Sequence, residues 1–163
     1  MLVRLSREQR GPVHHRRPDV LTLSRSRQII DAAISRAQHL GINVSVAVCD
    51  RRGRLVALNQ MDGSNAWEAD RCSMGKAVAS AISGLPSDRF IEYIHTHGSR
   101  LPSCNNVVSP RGQRGGLPIV EGGVVLGGCG VSGAAIPEQD EECASFGIAV
   151  LEPSLIESVA TLC

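Results

Sequence analysis

Apolar positions along this chain follow two rhythms. From Thr22 to Leu40 they recur at helical spacing, with Ile29, Ile30, Ala33, Ile34, Ala37 and Leu40 on one face and Gly41 as a stop. Thr22 or Ser24 can cap that helix. From Val44 to Cys49 the pattern turns to strand, and Asp50-Arg51-Arg52-Gly53-Arg54 supplies a turn before a second strand, Leu55 to Met61. An Ala-rich helix is predicted over Ala66 to Ser83, ended by Gly84 and Pro86. A shorter helix follows over Arg89 to His97, anchored by Ile91 and Ile94. Two further apolar runs, Leu117–Val120 and Val124–Val131, flank Glu121-Gly122-Gly123 and read as a hairpin. The second run is nearly free of polar side chains, as a central strand covered on both faces would be. Its glycines, Gly127, Gly128 and Gly130, leave room for a helix, a partner chain or a ligand. Pro137 and the acidic residues after it open a last helix, to about Leu151.

Strands joined by tight turns, with helices between the hairpins, predict an α+β domain. The expected architecture is an antiparallel sheet of about five strands with helices packed on it. That domain spans residues 21–152, after a basic N-terminal tail (1–20) and before a short C-terminal one (153–163). Gly98 to Arg114 is the irregular stretch, and a loop of that length usually carries function or motion.

Composition narrows the class. Hydrophobic residues make up 42%, charged residues 20% and the net charge is +1, so nothing draws the whole chain to nucleic acid or to a membrane surface. No apolar run approaches the ~20 residues of a membrane span, and no signal-peptide-like segment opens the chain, so a cytoplasmic protein is expected. None of the six cysteines forms a C-x-x-C pair, and His14-His15 alone does not build a site, so neither a metal centre nor a disulfide framework is expected.

Several residues can carry chemistry. Lys76 is the single lysine among 17 basic residues and sits in an apolar helical segment. It either covers apolar surface with its stem or, desolvated, acts as acid, base or nucleophile, or pairs with a carboxylate. Asp50 fits a turn-fixing role or a catalytic one, and Glu138 a helix-start charge or a catalytic one. Arg111 and Arg114 are natural carboxylate clamps. His95 and His97 fit a helix-end role or a ligand's, and Cys104 is a thiol in the irregular loop.

Four stretches, taken in order, resemble one family. They are Leu21-Thr22-Leu23 with Ile29–Ala33; Val44–Gly53; Gly75-Lys76-Ala77; and Gly115-Gly116-Leu117-Pro118-Ile119 through Gly130-Val131-Ser132-Gly133 to Pro137-Glu138-Gln139-Asp140. The set is similar to the GlcG/HbpS family, also called the heme-degrading or DUF336 domain, which includes the C-terminal domain of PduO-type proteins. The resemblance implies helices on an antiparallel sheet, homo-oligomers, and heme binding in some members. It transfers no axial ligand.

Two functional expectations follow. One is a heme- or tetrapyrrole-binding module in a homo-oligomer, with His95, His97 or Cys104 on the iron. The other is a small enzyme acting on a carboxylated metabolite by proton transfer, as an isomerase, tautomerase or lyase does, with Lys76 as acid/base and an arginine on the carboxylate. A purely structural subunit is the third. Heme is the one cofactor expected.

Overall fold

The computed structural model describes residues 20–64, 69–97 and 109–151. Cys104, most of the N-terminal tail and the C-terminal tail lie outside the described residues.

Helix α1 (Leu23–Leu40) begins where the Thr22 side chain accepts a hydrogen bond from the Arg25 amide at 3.2 Å, which decides the cap in favour of Thr22. It ends on Gly41 in the left-handed region, whose amide returns to the last turn. Strands β1 (Ser45–Asp50) and β2 (Leu55–Gln60) form the first hairpin. Helix α2 (Ala69–Ser83) leads through a 3-10 turn (Ser87–Arg89) into α3 (Phe90–His97). Strands β3 (Gly116–Glu121) and β4 (Val124–Ser132) form the second hairpin. Its turn glycines, Gly122 and Gly123, have φ of 56° and 79°, the positive values a tight right-twisting hairpin requires. Helix α4 (Pro137–Ala149) carries proline at its first position.

The described residues form one antiparallel sheet of four strands, not about five, in the order β2-β1-β4-β3. The smaller number follows from the sequence itself, whose two hairpins supply all four strands. β4 is central, as its unbroken apolar run requires.

Helices cover both faces of this sheet. On one, α1 and α4 bring Ile29, Ile30, Ala33, Cys143 and Ala144 against Val46, Val48, Cys129 and Val131. Each fully buried aliphatic side chain there contributes ~1.5–3 kcal/mol. On the other, α2 lays Ala77, Val78 and Ala81 on Ala47 and Cys49. Gly128 and Gly130 of β4 have their occupant here, while a Cβ at Gly127 would meet Cys49 of β1 and Leu21. A Cβ at Gly128 would collide with the Ala77 carbonyl, and one at Gly130 with the Ser73 carbonyl. The space is filled by the backbone of α2, and small residues on helix and strand together set the close approach. Among the described residues, no helix is long and apolar enough to cross a membrane.

Candidate functional site

Lys76 lies on the face of α2 turned to the sheet and is 4% exposed. Its Nζ donates to Asp140 Oδ2 at 2.9 Å and to the Val131 carbonyl at 2.8 Å. Asp140, on α4 and equally buried, uses its other oxygen to accept from the Ala134 amide at 3.0 Å. One side chain thus joins α2, the end of β4 and the start of α4. The lysine is also walled in by backbone. A Cβ at Gly115, where φ is 116°, would stand 2.9 Å from Nζ and 2.8 Å from the Asp140 side chain. The Gly115-Gly116 pair is therefore there to clear Lys76. The acidic start of α4 divides in two: Asp140 turns inward to the lysine, while Glu138 stays on the surface.

Lys76 lines none of three grooves on the surface of the described residues. One of them, about 740 Å³, runs along α4 past Glu138, Glu141, Glu142 and Phe146. Arg114 stands beside its acidic wall and pairs with Glu138 at 3.1 Å and with Glu141 and Asp88 at 3.4 Å each. Glu141 first, then the other two carboxylates, raises the pKa of that guanidinium. Arg111 is pinned differently: its amide donates to the Gly75 carbonyl at 3.0 Å and its stem lies on Gly75.

Asp50 closes the β1–β2 turn. Its Oδ1 accepts from the Arg52 and Arg54 amides at 2.9 and 3.0 Å, and Oδ2 pairs with the Arg54 side chain. Partial burial raises its pKa, but these donors outweigh that and hold the carboxyl below its ordinary value. The groove beside it is lined by Arg51, Arg52 and Arg54.

The histidines of α3 are both exposed and stand on different sides of the helix. The His95 ring has no hydrogen bond among the described residues; Ile91, one turn earlier, is 55% exposed and rests on Gly112. His97 is held. Its ring stacks on Tyr93 with centroids 4.1 Å apart, and its Nδ1 lies 3.0 Å from the Tyr93 carbonyl oxygen. A carbonyl only accepts, so Nδ1 is the donor in this contact. Helical spacing alone cannot show this preparation, because it depends on Tyr93 four residues back offering both its ring and its carbonyl.

The expected site residues therefore fall into separate groups. Lys76 joins Asp140, a partner sequence reading assigns only to the helix start; Glu138 joins Arg114; Asp50 stands at the β1–β2 turn; and His95 and His97 share α3.

A family model described as "Haem degrading protein HbpS-like" matches residues 21–149. GlcG from Escherichia coli strain K12 is 31% identical over 113 residues, covering 69% of this chain and 81% of that protein. Among solved structures, a double mutant of HbpS from Streptomyces reticuli superposes with a TM-score of 0.70 at 25% identity, covering 94% of this chain and 98% of that one. A PduOC:heme complex superposes with a TM-score of 0.66 at 23% identity, covering 82% and 96%.

Proposed function

This chain belongs to the HbpS-like family, and on that premise we propose that it binds heme or a related tetrapyrrole, with His97 as the axial ligand. The observation that carries the reading is the ring of His97, stacked on Tyr93 and donating from Nδ1 to a backbone carbonyl. Histidines that ligate metals are commonly oriented in this way, by a hydrogen bond from the other ring nitrogen to a carbonyl. The family's description and the heme in the related PduOC structure support the same ligand.

The donor set suits the group. Heme needs an imidazole with a free lone pair, an aliphatic surface for its face and a cation for its propionates. His97, with His95 in reserve, Ile91 and Arg111 are the residues proposed to meet those needs, and Cys104 is the thiolate alternative. When bound, heme would supply an iron centre able to change oxidation state. Ile91 and both histidines are exposed, so a flat ligand there would be open on one side. A second copy of the chain covering it in a homo-oligomer is part of the proposal, as is a cytoplasmic location.

The proton-transfer alternative requires Lys76 to meet a substrate. Its ammonium is taken by Asp140 and Val131 and lines none of the three grooves, so no observation favours that reading.

Titration of the purified protein with hemin tests the proposal. A saturable Soret shift is expected, weakened at least about tenfold in His97→Ala and partly restored by added imidazole, with unchanged far-ultraviolet circular dichroism. Absence of a saturable shift, or a shift left intact by His97→Ala, His95→Ala and Cys104→Ala alike, would overturn it.

A further inference from the structure

The β1–β2 turn is built around a carboxylate. Both oxygens of Asp50 are engaged there, one by the Arg52 and Arg54 amides and one by the Arg54 guanidinium. Gly53, at φ 74°, carries the chain round. Arg51 and Arg52 are exposed, and among the described residues neither guanidinium has a hydrogen bond or an ion pair. Both line a hollow of about 250 Å³ whose apolar walls are Val20, Leu21 and Leu126. Val20 is 48% exposed, while Leu21 and Leu126 are nearly buried and show it only an edge. Leu21 is seated by Gly127, since a Cβ on that glycine would stand 3.0 Å from Leu21 Cδ2.

Three guanidiniums face one carboxylate in this hollow, so positive charge is in excess. Arg54 answers Asp50, which leaves Arg51 and Arg52 for an anion. Their planar forks match the oxygens of a phosphate or carboxylate. Asp50 has already fixed the turn that carries them, so little backbone freedom is lost when an anion arrives. Two free positive charges favour a dianion over a monoanion. The apolar walls favour an anion that carries carbon. The volume falls below that of pockets for drug-sized ligands, so the carbon body is short.

We propose that this hollow binds a small phosphate monoester. The phosphate lies on the Arg51 and Arg52 guanidiniums, and the aliphatic carbons of the ester lie against Val20, Leu21 and Leu126. Arg54 stays with Asp50 and screens that carboxylate from the phosphate.

Butyl phosphate, titrated into the full-length protein at about pH 8, where the ester is a dianion, tests this. The backbone amide NMR signals of Gly53 and Leu126 report binding. Saturable shifts are expected, with affinity about tenfold above that for inorganic phosphate, the gain from roughly two methylenes leaving water. Pentanoate, with a single charge, should bind about tenfold more weakly than butyl phosphate. Arg51→Gln and Arg52→Gln should each weaken binding about tenfold without moving the thermal midpoint. Arg27→Gln, exposed on α1 and outside the hollow, should change nothing. Shifts that do not saturate, or that survive both glutamine substitutions, would overturn the proposal. Equal affinity for butyl and inorganic phosphate would do the same, leaving an adventitious anion contact only. So would a protein that sediments with phosphatidate vesicles but ignores butyl phosphate, since the arginines would then meet a lipid surface. None of these residues is proposed to hold heme, so the hemin titration does not bear on the result.

Discussion

At Lys76 and Asp140 two full charges sit where water does not reach, joined at 2.9 Å and each holding a further backbone group. In such pairs the cost of desolvation is offset only while both partners remain. Lys76→Met should lose about 3–5 kcal/mol, because it strands a buried carboxylate. Lys76→Met/Asp140→Asn should recover most of that, since the amide still accepts from Ala134 and no charge is left behind. Urea unfolding of the two variants measures the difference, and equal losses would show that the pair contributes through shape alone. This pairing is not legible in the chain. Lys76 stands out in composition, but nothing local links it to a residue 64 positions away.

The elements themselves are legible, because their signals are local: Thr22 and Gly41 bracket α1, two glycines fold the second hairpin, and Pro137 opens α4. What occupies the space beside a strand glycine is set by tertiary packing, and two glycines of the same hairpin should therefore behave differently. Gly123→Ala meets nothing within 4 Å and bears only the cost of a left-handed conformation, about 1–2 kcal/mol. Gly128→Ala drives a methyl into the backbone of α2, which cannot give as a flexible side chain would. Overpacking typically costs ~1–3 kcal/mol, and a collision with backbone falls at the upper end of that range. Thermal unfolding of the two variants should separate them clearly. Comparable midpoints would mean that α2 shifts on the sheet without penalty.

Taken whole, the domain keeps three of its thiols, Cys49, Cys129 and Cys143, inside as small core residues, and its described cysteines are free. Burial pushes the Cys49 thiol up to about 12, against the smaller lowering by its hydrogen bond to Gly128. An unfolded thiol titrates near ~8.5, so above that pH the unfolded chain sheds protons that the folded chain retains. Stability should be indifferent to this group below ~8.5 and should fall as pH rises from there toward the folded value. Melting temperatures from pH 8 to 10.5 for the wild type and Cys49→Ala would show it as a shallower alkaline decline in the variant. Parallel curves would remove the thiol from the account.

The chain's one ε-amine is enclosed by its carboxylate partner and a glycine wall. Acetylation, methylation and isopeptide conjugation all begin with access to such a nitrogen. On the folded domain they find no lysine to act on, and any machinery that tags proteins through lysine must first pull α2 away from the sheet.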